Sequence, residues 1–312
     1  MEIGIALPNI GPLATRDAMF AIADAAERLG FDSLWFGDHL TLPRKPKLAY
    51  PYSRGMPHYL QADTPILDPL ALMAAIAART KRIKIGTSVL ILPYRHPMVT
   101  AKLLATIDEL SNGRVILGAG VGWIPEEFEA LDADFAARGK VTDEQLRYFR
   151  EVWSKDDPNV TGDYYRLSGM GVQPKPVQRR IPLWIGGNTR LAMRRAAILG
   201  DGIHFIDRTP AELEQDIALF KAICKETGRP VSEMAISLRS QVQITDKPLS
   251  QAERARPIAG DLTQVTADYT TFKRLGVGHL CLSPRALGPG VEGYIQTMDL
   301  IAGSLVPALR KA

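Results

Sequence analysis

Short runs of branched apolar residues alternate with longer stretches of helical period from one end of the chain to the other. The runs predict strands at Ile3–Leu7, Ser33–Gly37, Ile83–Leu90, Arg114–Gly118, Pro182–Ile185, Gly202–Ile206, Met234–Ile244 and Gly278–Leu282. The periodic stretches predict helices at Arg16–Leu29, Pro69–Ala78, Met98–Leu110, Thr142–Val152, Thr189–Leu199, Pro210–Thr227, Leu262–Leu275 and Val291–Leu305. Glycine follows the apolar period at Gly30, Gly200 and Gly276, where a helix is expected to stop.

Eight strand-then-helix units in series predict an α/β fold of the (β/α)8 TIM-barrel type, with residues 1–312 forming a single domain. An open doubly wound sheet would place a Gly-x-Gly-x-x-Gly turn after its first strand. That turn is absent, and Gly118–Gly122 lacks the spacing. Two connections are longer than a plain barrel needs. One runs from His39 to Asp68 after the second strand; the other, from Val152 to Pro182 before the fifth, reads as a hairpin and loop. The first lies on the face where barrel enzymes keep their active sites. One strand also departs from the pattern: "GTSVLILPYRHP", over Gly86–Pro97, carries small and hydroxylic residues where a core strand would be uniformly branched.

Composition adds mainly exclusions. Of 312 residues, 46% are hydrophobic and 23% charged, an ordinary globular balance. The net charge of +4 is spread along the chain without aromatic interleaving, which argues against a nucleic-acid surface. Cys224 and Cys281 stand far apart with no Cys-x-x-Cys or Cys/His cluster, so a disulfide framework and a zinc site are not expected and a reducing, cytoplasmic compartment is. The opening "MEIGIALPNIGP" reads as a strand rather than a signal peptide, and no apolar run is long enough to span a membrane.

In a barrel, the C-terminal strand ends line one pocket. Here they are Pro8-Asn9, Asp38-His39, Thr87-Ser88-Val89, Gly118–Gly122, Gly186-Gly187-Asn188, Phe205–Asp207 and Ser283-Pro284, with glycine over-supplied. Glycine at a strand end lets a flat ring or a phosphate approach the backbone. At "WIGGNTRLAMRRAAILG" a strand runs through Gly186-Gly187-Asn188-Thr189 into a helix, whose unpaired N–H groups favour an anion. Simple helix capping by Asn188 or Thr189 explains the same residues; Arg190, Arg194 and Arg195 favour the phosphate. His39 is the candidate acid/base because of its strand-end position, while His96, His204 and His58 are weaker candidates. No metal-ligand spacing, Gly-x-Ser-x-Gly elbow, P-loop or partnered cysteine is present, which leaves a glycine-rimmed pocket suited to a borrowed cofactor.

Four segments together resemble the bacterial luciferase-like flavin- and deazaflavin-dependent oxidoreductases: "GFDSLWFGDH", "KIGTSVLILPYRHPMVTAKLLATIDELSNGRVILGAGVGW", "YYRLSGMGVQPKPVQ" and "PLWIGGNTRLAMRRAAILGDG". The resemblance implies a barrel with the cofactor ring across its C-terminal mouth. It implies a non-prolyl cis peptide at Ser88–Val89, beside Thr87, as a backstop to the ring, and backbone contacts from Gly120, Val121 and Gly122. It places the cofactor phosphate near Gly186, Gly187 and Asn188, matches His39 to a residue that serves as proton donor or hydrogen-bond partner, and implies a homodimer; beside these, Thr189 is a candidate cofactor contact and Asp38 a candidate orienting group for His39.

The third-to-fourth-strand segment most resembles the branch that uses coenzyme F420, a hydride-transferring deazaflavin; the basic Arg44, Lys45, Lys47 and Arg54 suit its anionic tail. The alternatives are an FMN-dependent monooxygenase fed by a separate flavin reductase and, in another class, a non-catalytic flavin-binding protein. Sugar-phosphate dehydrogenases of the deazaflavin branch carry a glutamate directly after the Gly-x-Gly, where this chain has Trp123. With Tyr50, Tyr52, Tyr59 and Phe205, Trp123 suggests instead a small apolar or aromatic substrate.

Overall fold

In the computed structural model, which describes residues 1–49, 61–255 and 258–311, the apolar runs close into a ring of parallel strands. In chain order the strands are β1 (Glu2–Ala6), β2 (Ser33–Phe36), β3 (Lys84–Thr87) with its short continuation β4 (Leu90–Ile91), β5 (Val115–Gly120), the hairpin β6 (Val160–Thr161) and β7 (Arg166–Leu167), β8 (Leu183–Gly186), β9 (Gly202–Ile206), β10 (Ala235–Ile244), β11 (Ile258–Gly260) and β12 (His279–Pro284). Parallel pairing runs β1–β2–β3–β5–β8–β9–β10–β12 and returns from β12 to β1, which closes the (β/α)8 barrel.

The helices are α1 (Arg16–Leu29), α2 (Pro69–Arg79), α3 (Pro97–Ser111), α4 (Pro125–Ala130), α5 (Arg138–Ser154), α6 (Arg190–Leu199), α7 (Pro210–Glu226), α8 (Leu262–Leu275), α9 (Gly290–Leu300) and α10 (Val306–Lys311). Local chemistry sets their ends. The Thr15 hydroxyl accepts from the Ala18 N–H to start α1, and Gly30, at φ 80, stops it. Asp261 and Gln264 form a capping box at α8. No helix among the described residues is long and apolar enough to cross a membrane.

The hairpin expected in the connection before the fifth barrel strand is present as antiparallel β6–β7. Several boundaries differ from the sequence reading. The third strand is broken: β3 ends at Thr87, and β4 resumes at Leu90 pairing only with β5. The fourth barrel strand continues two residues past its expected end to Gly120. The last predicted helix ends at Leu300 and passes through a π turn, Ile301–Leu305, into α10. Helix α4 and strand β11 have too short an apolar pattern to be seen by periodicity.

The main core lies between strands and helices, while the barrel interior holds a separate group of Ala6, Trp35, Ile116, Trp184 and Cys281. Trp35 stacks on Trp184 at 5.4 Å and on His204 at 5.2 Å, with His279 edge-on to both indoles. The Trp35 ring explains Gly86, where a Cβ would stand 2.8 Å from its Cζ3.

Burial drives His204 down to about 3, with the Arg239 charge adding to the effect, and holds His279 well below its ordinary value of 6.5. Both are therefore neutral in the fold and take up protons only on unfolding. Their stabilising contribution is complete above 6.5 and falls as pH drops towards 3, by about 1.4 kcal/mol per pH unit for His204. Urea unfolding at pH 6.5 and 5 should show lower stability at pH 5, with a shallower loss in His204→Gln; equal loss in both proteins would contradict neutral interior histidines.

Candidate functional site

The mouth of the barrel is organised around Val89, the half-buried residue after the break in the third strand. The Ser88–Val89 peptide is cis, as the resemblance implies. A Cβ on Gly120 would lie 2.4 Å from Val89 Cγ2, and one on Gly186 would lie 2.5 Å from Val89 Cγ1. The two glycines thus receive the Val89 methyls and leave the isopropyl group as an apolar knob in the floor. Gly118 is required by the backbone itself, since its Cβ would fall 1.9 Å from the Thr87 carbonyl. Thr87 Oγ1 donates to the Gly118 carbonyl at 2.7 Å, and Ser88 Oγ meets His204 Nε2 at 2.8 Å. The small and hydroxylic residues therefore serve close strand contacts and interior hydrogen bonds.

Gly120→Ala should cost about 1–3 kcal/mol, because Val89 is flanked on both sides and cannot rotate free of the added methyl. Combining it with Val89→Ala should recover most of that loss in thermal unfolding; no recovery would show that Val89 is not the neighbour being struck.

His39, at the end of β2, is buried, and its Nδ1 lies 2.8 Å from Glu127 Oε2 on α4. Glu127 is the site residue that sequence reading missed. Tyr94 Oη donates to its Oε2 at 2.6 Å, and the Leu40 and Thr41 N–H groups donate to its Oε1 at 2.6 and 3.2 Å. Burial opposes the Glu127 charge, but the hydrogen bonds from His39, Tyr94 and the Leu40 N–H outweigh it and hold the carboxyl below its ordinary range. Beside this carboxylate, the neutral ring of His39 is best served by the tautomer that carries its proton on Nδ1. Trp123 stands edge-on to the imidazole, with ring centroids 6.3 Å apart.

Asp38 does not orient His39. Its carboxylate takes two hydrogen bonds from Arg95, at 2.7 and 2.8 Å, and one from the Ile91 N–H at 2.8 Å. Burial pushes the Asp38 carboxyl up, and the Arg95 guanidinium opposes that shift. Arg95 also donates to Asp68, the N-cap of α2, at 2.9 Å, so the pair ties β2, β4 and α2 together beneath the site.

On the opposite rim, Gly187 has φ 126, a conformation that side chains resist. The Asn188 amide exchanges hydrogen bonds of 2.8 and 2.9 Å with the Ile206 carbonyl and N–H, clamping β8 to β9. The Thr189 hydroxyl caps α6 by accepting from the Ala192 N–H at 3.2 Å. The side chains at 188 and 189 are thus occupied, and with the Ala192 N–H taken by Thr189 the N–H groups of Arg190 and Leu191 are the ones at the start of α6 that could meet an anion. Arg190 pairs with Glu226 and Arg195 with Asp143, so neither favours a phosphate as the sequence suggested.

Gly122 has φ 79, and a Cβ there would strike Phe128 at 2.7 Å; beside it, Val121 and Trp123 are half-buried. His96 caps α3, accepting from the Met98 N–H at 3.2 Å, and His204 lies inside the barrel. Phe205 is fully buried against Phe220 and does not line the mouth. Arg44, Lys45 and Lys47 are exposed on the loop after β2. Tyr50, Tyr52, Arg54, His58 and Tyr59 lie outside the described residues.

An apolar knob in a glycine floor, an oriented imidazole on one rim and helix N–H groups on the other fit a flat ring carrying an anionic tail. A family model described as luciferase-like monooxygenase matches residues 1–279. An F420-dependent glucose-6-phosphate dehydrogenase from Amycolatopsis mediterranei is 35% identical over 57% of this chain, a match that spans 49% of that protein. An F420-dependent secondary alcohol dehydrogenase, solved with an F420–acetone adduct, superposes with a TM-score of 0.76 at 22% identity over 99% of this chain and 98% of its own. The oxygenating component of 3,6-diketocamphane monooxygenase from Pseudomonas putida, solved with FMN, superposes with a TM-score of 0.76 at 18% identity over 98% of each chain.

Proposed function

The chain belongs to the luciferase-like monooxygenase family and is a flavin- or deazaflavin-dependent oxidoreductase; from that premise we propose that it transfers hydride between F420 and a carbonyl or alcohol carbon of a small organic substrate. The observation that carries this reading is the His39–Glu127 pair at the edge of the glycine floor. A buried carboxylate beside Nδ1 makes Nε2 a base towards an alcohol and, once protonated, an acid towards an oxyanion. The F420-dependent relatives support the choice of cofactor.

F420, when bound, supplies the carbon that carries the hydride. The protein's part is to seat the ring on Val89, with Gly120, Val121, Gly122, Gly186 and Gly187 around it, to meet the phosphate at the first turn of α6, and to move the proton through His39. Trp123 beside His39 favours an apolar or aromatic substrate; Glu127 supplies a carboxylate four residues after the position where sugar-phosphate dehydrogenases are expected to carry theirs.

Domain and assembly belong to the same proposal: a single domain working as a homodimer in the cytoplasm. Val99, Leu103 and Leu110 expose an apolar stripe on α3 suited to self-association, and both cysteines are free and buried. Sedimentation should give about twice the 34.3 kDa chain mass, and a monomer would remove the dimer.

The reading is tested by mixing the protein loaded with reduced cofactor against oxygen and, separately, against acetone. Slow reoxidation by oxygen and faster reoxidation by the ketone are expected. Rapid, oxygen-dependent turnover with FMN would make the protein a monooxygenase served by a flavin reductase, the second reading that the FMN-bound structural neighbour supports.

A further inference from the structure

A chain of hydrogen bonds runs through the barrel interior to the mouth. Trp35 Nε1 donates to Ser33 Oγ at 2.8 Å, Ser33 Oγ meets His279 Nε2 at 2.7 Å, and His279 Nδ1 meets Ser237 Oγ at 3.3 Å. Ser237 Oγ meets His204 Nδ1 at 2.9 Å, and His204 Nε2 meets Ser88 Oγ at 2.8 Å. All six residues are buried. Each serine hydroxyl and each neutral imidazole can donate or accept, so such a chain has two possible directions. Trp35 can only donate.

That restriction selects one direction. If His279 Nε2 donated to Ser33, the Ser33 oxygen would accept twice and its own proton would be left without an acceptor at a site with 0% exposure. With Ser33 donating to His279 Nε2, the neutral imidazole carries its proton on Nδ1 and donates to Ser237. Ser237 then donates to His204 Nδ1, and His204 Nε2–H donates to Ser88. The oxygen of Ser88 is committed as an acceptor, and its O–H remains to be given. Inside the barrel that hydroxyl meets the Cys281 sulfur, a weak acceptor.

We propose that Trp35, Ser33, His279, Ser237 and His204 form a one-way hydrogen-bond chain that fixes the Ser88 hydroxyl as a donor to an acceptor atom of the ring bound in the mouth, which makes His204 a positioning residue acting through Ser88. The ring contact rests on the F420 reading above; the direction of the chain does not. Ser88 directly precedes the Val89 knob across the cis peptide and ends the chain of hydrogen bonds, so its hydroxyl is the group of the chain that would meet a ring seated on that knob.

The direction is tested on wild-type protein by 15N NMR of labelled histidine, with resonances assigned from His204→Gln and His279→Gln. The expected result is a proton on Nε2 of His204 and on Nδ1 of His279; a proton on Nδ1 of His204 overturns the proposal. The contact is tested by fluorescence titration with F420. Ser88→Ala and His204→Leu should each bind about five- to tenfold more weakly, and the double variant no more weakly than Ser88→Ala. Additive losses, or wild-type affinity in Ser88→Ala, would overturn the positioning role. Failure of the wild-type protein to bind F420 would instead overturn the cofactor reading, while the tautomers would still decide the direction of the chain.

Discussion

Replacing His39 with Gln should slow hydride exchange between F420 and a ketone by about 10²–10⁴-fold while leaving F420 affinity nearly unchanged. Glutamine fills most of the imidazole volume but neither accepts nor releases a proton near neutral pH. On the proposed mechanism the loss falls on the step in which Nε2 serves the substrate oxygen. Glu127→Gln should give a smaller loss, because an amide oxygen turned to His39 still accepts from Nδ1–H but supplies no charge to the imidazolium formed in that step, while its NH2 then faces the Leu40 and Thr41 N–H groups. Single-turnover kinetics of the reduced complex with acetone separates the two effects from binding. Unaltered turnover in His39→Gln would remove His39 from the mechanism.

Arg95→Met should lower the unfolding free energy by about 3–5 kcal/mol, the cost expected when one partner of a buried ion pair is removed. Asp38 has a fully buried side chain and would keep only the Ile91 N–H, while Asp68 would lose a hydrogen bond at the start of α2. The companion variant is Arg95→Met with Asp38→Leu, in which no charge is stranded; it should regain most of the stability. Chemical denaturation measures both. If the single variant unfolds like wild type, the pair does not hold the strand ends together.

The fold was legible because eight apolar strand runs and their helices have different periods, and that difference survives variation in loop length. His39 was legible from its position at a strand end. Its partner was not: Glu127 lies in the first turn of a six-residue helix with too few residues to show a period. Its acids read as ordinary charges at a helix start. Asp38 was the nearer carboxylate in sequence, but Arg95 lies 57 residues further along the chain, and only the packed loops show that it claims Asp38.

The glycines were read as space for a ligand, and Gly120 and Gly186 turn out to make room for Val89 first. On the proposed function, the cofactor would then meet a knob that the chain itself has seated. A pattern of small residues states that something approaches closely without stating what, so the distinction needed coordinates.

On the proposed reading, the mouth formed around Val89, His39 and the first turn of α6 is the seat of a deazaflavin. Equilibrium fluorescence titration of the purified protein with F420, run beside FMN, decides whether it is. One F420 bound per chain, at least about tenfold tighter than FMN, is the expected result; a tenfold ratio corresponds to about 1.4 kcal/mol. No saturable binding of either cofactor would contradict it.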